Sequence, residues 1–232
     1  MKHTLLILAG FFFTLSLYSQ GDTLIFSNAI KINFKKYKQQ TELAYRKGDF
    51  ERGKFLFDSL VDNRLAGTTF DDFTFKQANG KKLQLGKIKK PTVVITYASW
   101  CVLSKGEVPA LNKLAQKYGN DVRFVVLFWD RKQNMEKIAR KFSKRINVCY
   151  AHEYYKNDAP IVAALKHKLG LPTTYYLDEN LKVVDIRRCG VKECPKNADA
   201  KKSYTLNYNS FLDGLALLVI EKDLKKEMLA TK

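Results

Sequence analysis

The sequence predicts an α/β fold, a mixed central sheet flanked by helices, with an N-terminal β-hairpin and a helical extension ahead of it. Three observations predict it. From Gly67 onward, short apolar or alternating segments trade places with amphipathic ones, the pattern of strands and helices in turn. Thr92-Val93-Val94-Ile95 reads as a buried strand and leads through Trp100-Cys101 to Leu111, Leu114, Ala115 and Tyr118 at helical spacing. Gly170-Leu171-Pro172-Thr173 opens another apolar strand, which returns as a hairpin through Asp178-Glu179-Asn180.

Residues 1–19 read as a signal peptide: Lys2 and His3, then a nearly all-apolar run from Leu5 to Leu17, then Ser19 before Gln20. That run is too short for a comfortable membrane span. The chain is therefore expected to be exported, to the periplasm or cell envelope or beyond. No cysteine lies near the cleavage point, so neither a lipid anchor nor a transmembrane helix is expected.

Residues 20–66 form the helical extension. Phe34, Tyr37, Thr41 and Ala44 make one stripe, Phe50, Phe57, Leu60 and Val61 another, and Gly48-Asp49 separates them. A helical hairpin packed on the main domain and a docking surface for a partner are the two readings of this segment. Residues 67–232 make the main domain. Its hairpin turns at Asn79-Gly80, and its second buried strand runs from Val122 to Trp129. A helix follows through Met135, Ile138, Ala139 and Phe142, then a short strand from Asn147 to Ala151, then a helix through Ile161 and Leu165. A polar loop with cysteines (189–205) precedes a last helix carrying Phe211, Leu215 and Leu218.

With 46% hydrophobic residues, the chain can bury a sizeable core. The formal charge of +18 is dispersed along it, the pattern of a solubilising surface. Nucleic acid is not an expected partner of an exported protein.

Cys101 falls where a buried strand gives way to a helix. A helix N-terminus offers unpaired N–H groups and partial positive charge, which favour the reactive thiolate. The alternative is a small buried hydrophobe, as many free cysteines are. Export leaves Cys101, Cys149, Cys189 and Cys194 free to form disulfides, and four cysteines allow three complete pairings. Cys149, inside a strand, reads as core.

Trp100-Cys101-x-x-Ser104-x-x-Glu107-x-Pro109, followed by Gly170-x-Pro172-Thr173, resembles the exported thiol:disulfide oxidoreductases of the TlpA/ResA group. The resemblance spans roughly Ala66 to Val191 and implies a thioredoxin fold. It implies that Cys101 is the exposed nucleophile, that Pro172 is a cis-proline facing it, and that Glu107 tunes thiol ionisation. Glu107 also suits the first turn of a helix on dipole grounds alone. Trp100, Leu171 and Pro172 would contact substrate. The implied partners are protein thiols and disulfides.

The departure is Ser104, where that group carries a resolving cysteine. A hydroxyl cannot close an internal disulfide, but it can donate a hydrogen bond to a thiolate. Mixed disulfides on Cys101 should then persist until an external thiol or another cysteine resolves them. Pairing the last hairpin about Glu179 and Asn180 sets Pro172 opposite Arg187 and brings Cys189 and Cys194 toward the site. A bracing Cys189–Cys194 disulfide, redox participation and two free thiols are the readings of that pair.

Other schemes fit poorly. Peroxidases of the peroxiredoxin type want Pro-x-x-x-Thr-x-x-Cys, where this chain has Val94 and Ala98. A cysteine hydrolase needs a positioned histidine, and His152 and His167 have no such context. No cofactor or metal is expected, since there is no phosphate-binding glycine loop and Cys189-x4-Cys194 lacks a nearby histidine. A thioredoxin-fold binding module without turnover is the competing class.

Overall fold

The computed structural model describes residues 24–101, 104–166, 168–188 and 199–230. The expected signal peptide, Cys189, Cys194 and His167 lie outside them. In chain order, the helices are α1 (Phe26–Arg46), α2 (Phe50–Leu60), α3 (Glu107–Tyr118), α4 (Lys132–Ala139), α5 (Ala159–Leu165) and α6 (Ala200–Ala230). The strands are β1 (Thr74–Gln77), β2 (Lys82–Gln84), β3 (Thr92–Tyr97), β4 (Arg123–Phe128), β5 (Ile146–Tyr150), β6 (Thr173–Leu177) and β7 (Val183–Arg188).

All seven strands form one sheet in the order β2-β1-β5-β4-β3-β6-β7. β3, β4 and β5 run parallel to one another, while β6 is antiparallel to β3 and β7 to β6. With helices on both faces, this is the thioredoxin-type arrangement the sequence predicts.

Side chains on successive strand residues point to opposite faces, and the core divides accordingly. Val93, Ile95 and Tyr97 of β3 pack with Leu111 and Leu114 of α3 and with Phe211 and Leu215 of α6. Val94 lies in the other cluster, with Phe26, Ile30, Phe57, Leu60 and Leu65 of the extension. The extension is thus a helical hairpin that supplies a third of the buried residues on that face. Asp49 caps α2 by accepting from the Arg52 N–H at 2.9 Å, and Gly48 takes the turn at φ 71. A π-helical turn, Val61–Leu65, carries the chain out of α2.

Several boundaries differ from the sequence reading. α1 starts at Phe26, ahead of Asn33, because Phe26 is fully buried and its N–H donates to the Thr69 carbonyl at 2.8 Å. The expected loop through residue 205 is shorter, since α6 begins at Ala200 and Ser203 within it is buried. The last hairpin also has another register, with Thr173 opposite Arg188 and Thr174 opposite Arg187. Its turn is wider than two residues. Asp178 and Lys182 close around Glu179-Asn180-Leu181, with Leu181 at φ 63, and the register shifts between Tyr176 and Leu177.

Candidate active site

Two segments leave the sheet at the same end and frame the site. One follows β3 and carries Cys101; the other precedes β6 and carries Pro172. Thr96 pairs with Thr173 across these neighbouring strands. The Thr96 hydroxyl donates to the Thr173 carbonyl and accepts from the Thr173 N–H, both at 3.2 Å. The Leu171–Pro172 peptide is cis, preceded by Gly170 at φ 100, and the Thr173 hydroxyl donates back to the Gly170 carbonyl at 2.8 Å. Leu171 is half-buried against the core. Trp100, beside Cys101, is 69% exposed.

The Cys101 segment is an irregular turn in which the Cys101 N–H donates to the Ala98 carbonyl at 2.9 Å. α3 begins only at Glu107, behind Gly106. Cys101 thus lies in the turn between strand and helix, with the regular part of α3 starting later in the chain. The charges that act on the thiol include the carboxylates of Asp130 and Glu107.

Asp130 holds the turn from below. Because β4 runs parallel to β3 and the Trp129 N–H donates to the Tyr97 carbonyl at 2.8 Å, the residue after Trp129 arrives beside Ser99. Asp130 is 6% exposed and accepts from the Ser99 N–H at 2.7 Å and from the Ser99 hydroxyl at 2.5 Å. Glu107, 5% exposed, accepts from the Tyr97 hydroxyl and from the Ser104 N–H, the latter at 3.3 Å. Burial pushes the Glu107 carboxyl up, and these two hydrogen bonds pull it partly back.

The Cys101 thiol is likewise pushed up, first by burial and then by the negative charges of Asp130 and Glu107, against a backbone hydrogen bond at Ala98. The sequence predicts an eased ionisation. Burial of the thiol, reinforced by the two acids, reverses that balance.

Ser104 has a partner on α6. Its hydroxyl oxygen accepts from the Asn207 amide nitrogen at 2.7 Å, and the same nitrogen donates to the Ser203 carbonyl at 2.7 Å. A carbonyl can only accept, so the amide orientation of Asn207 is set by that contact. The Ser203 hydroxyl accepts from the Gly106 N–H at 3.1 Å. α6 thereby docks its first turns on the Cys101 segment. Contact is close enough that a Cβ on Gly106 would lie 2.1 Å from the Tyr204 nitrogen.

Cys149 is fully buried in β5, and burial pushes its thiol far above the usual range; it belongs to the core. His152 accepts from the Tyr154 N–H at 3.0 Å, a loop contact. Among the described residues, no group of histidine, cysteine and acidic side chains is arranged to hold a metal, and no helix is long and apolar enough to cross a membrane.

Sequence reasoning missed Tyr97, Asp130, Ser203 and Asn207. For two of them a signal existed. Asp130 directly follows a buried parallel strand next to the one that ends at the cysteine turn. Tyr97 is an aromatic hydroxyl at the end of a buried strand, where it needs a partner. Ser203 and Asn207 lie about a hundred residues from the groups they hold, with no local pattern to announce them.

The fold is that of a thioredoxin-like protein, and residues 66–186 match the AhpC/TSA family, to which this chain belongs. Among its relatives, it is 28% identical over 121 residues to the thioredoxin-like protein YneN of Bacillus subtilis, an alignment covering 52% of this chain and 69% of that protein. It is 35% identical over 68 residues to the thiol:disulfide interchange protein DsbE of Pseudomonas fluorescens, covering 28% of this chain and 38% of DsbE. A solved thiol-disulfide oxidoreductase from Bacteroides fragilis superposes with a TM-score of 0.44 at 16% identity, covering 53% of this chain and 92% of that one.

Proposed function

We propose that this protein is an exported thiol:disulfide exchange protein of the TlpA/ResA type, working through the single thiol of Cys101 on protein disulfides. The observation that carries the reading is the framing of one end of the sheet by the Cys101 turn and the cis Leu171–Pro172 loop, locked together through Thr96 and Thr173. In the exchange, the Cys101 thiolate attacks one sulfur of a substrate disulfide. A Cys101–substrate disulfide forms, the substrate S–S bond breaks, and the electron pair leaves on the other substrate sulfur, which takes up a proton. A second thiolate then attacks the mixed disulfide and releases Cys101. With Ser104 in place of a resolving cysteine, that thiolate comes from outside or from Cys189 or Cys194.

Pro172 and the neighbouring backbone present the substrate chain, and exposed Trp100 contributes apolar surface beside the thiol. Asp130 and Glu107 hold the turn. Ala98 and Val94 carry no hydroxyl or proline for a peroxide site, which favours disulfide exchange over peroxide reduction within the AhpC/TSA family. The name of DsbE as a thiol:disulfide interchange protein agrees with that preference.

Cys101→Ser tests the reading. Oxidised protein substrate should be captured as a mixed disulfide by the wild type and not by the variant. A Cys101→Ser protein that still retains its partners non-covalently would identify a binding module instead. Mapping the disulfides of the mature, oxidised protein checks the resolving step: a Cys101 link to Cys189 or Cys194 places it within the chain, and a closed Cys189–Cys194 pair assigns it to an external thiol.

A further inference from the structure

We infer that Arg188 is a positioning residue through which the helical extension holds the cis-proline loop in place for protein substrates. The inference rests on the thiol-exchange reading and assigns the extension a part in it.

Arg188 ends β7 directly opposite Thr173, the residue after the cis-proline. Its Nε donates to the Leu169 carbonyl at 2.6 Å, on the near side of that loop. The other guanidinium nitrogens turn the opposite way, into the extension. Nη2 donates to the Tyr37 hydroxyl, and Nη1 to the Tyr45 hydroxyl at 3.3 Å. The guanidinium carbon sits 4.2 Å from the centre of the Phe57 ring of α2. One planar cation thus joins α1, α2, the end of β7 and the loop leading to Pro172.

One glycine makes the join possible. The Tyr45 ring lies flush on Gly53 of α2, where a Cβ would come within 2.2 Å of it. A lysine could not reproduce the arrangement, since an ammonium is a point charge without the rigid fork that serves acceptors on two sides.

The loop between Leu169 and Thr173 has its carbonyls taken up at both ends, Leu169 by Arg188 and Gly170 by the Thr173 hydroxyl at one, and Thr173 by the Thr96 hydroxyl at the other. A substrate backbone docking there meets an edge already fixed in shape, which lowers the ordering cost of binding. The Cys101 turn is held by other residues. Loosening Arg188 should therefore weaken engagement of a polypeptide without changing attack on a small reagent that needs no backbone docking.

The test compares the second-order rate of mixed-disulfide formation with oxidised insulin against that with dithionitrobenzoate, in wild type, Arg188→Lys and Tyr37→Phe. The expected result is a fall of about tenfold in the insulin-to-reagent ratio for Arg188→Lys, the size of one lost charge-assisted hydrogen bond. For Tyr37→Phe, which removes a single hydroxyl and keeps the packing, the expected fall is about threefold. An unchanged ratio in Tyr37→Phe and in folded Arg188→Lys, or equal falls in both rates, overturns the inference and leaves the exchange reading standing. A wild type that reacts with neither disulfide overturns the exchange reading and this inference with it.

Discussion

The two halves of the site are held by opposite means. The Cys101 turn is fixed by anions, the buried carboxyl groups of Asp130 and Glu107, whereas the cis-proline loop is fixed by a cation, Arg188, and by hydroxyl groups. The groups that shape the turn also act on the thiol electrostatically. Those that shape the loop are not among the charges that raise it. Reactivity and substrate docking can therefore be altered separately, and each prediction below presses on one side of that division.

The largest effect is expected at Asp130. Asp130→Ala leaves the Ser99 N–H and hydroxyl without their acceptor, costing about 2–3 kcal/mol in a denaturant titration. The near-isosteric Asp130→Asn should move the pH midpoint of Cys101 alkylation downward, because a negative charge that raises the thiol has gone. An unmoved midpoint would mean that burial alone sets the thiol. Next comes Gly106→Ala, whose added methyl meets the Tyr204 backbone and forces α6 away from the turn. The cost should be about 2 kcal/mol by thermal melting, together with a changed rate at Cys101.

Glu107→Gln gives a smaller, pH-dependent effect. The folded carboxyl titrates above its ordinary 4.5, so the native state holds its proton more tightly than the unfolded chain does. That contribution is full below 4.5 and is lost as pH rises through the raised value. Relative to Glu107→Gln, the wild type should therefore lose stability as pH is raised from 4.5. Parallel stability curves for the two proteins would contradict this.

The smallest effect is on the loop's side. Asp49→Ala removes the α2 cap for about 1 kcal/mol. Alkylation of Cys101 should not change at any pH. A shift there would join the two halves that the structure separates.

What the sequence disclosed follows the range of the interactions. The buried strand before Cys101, the Asn79-Gly80 hairpin and the apolar stripes of α1 and α2 are written in neighbouring residues and were legible, except that Phe50, read into the α2 stripe, is exposed. Cys101, Trp100, Ser104, Glu107 and Pro172 stood out because they lie in two short motifs. Their setting was not legible. The late start of α3 turns on how the irregular segment after Ala98 is anchored, and its anchors, Asp130, Ser203 and Asn207, come from elsewhere in the chain. Register in the last hairpin depended on one turn residue, Leu181, adopting a left-handed conformation that leucine seldom takes.

The contact between Arg188 and Tyr37 also orders events in time. A ribosome releases α1 and α2 long before β6 and β7, yet these helices bury Phe26 and Tyr37 against groups supplied by those strands, including Tyr175 and Arg188. Until the last hairpin has been synthesised, the seat of the first helices is incomplete. Their apolar stripes must wait uncovered, so the earliest-made part of the chain is among the last to reach its final packing, and it is the part most in need of protection from aggregation during synthesis.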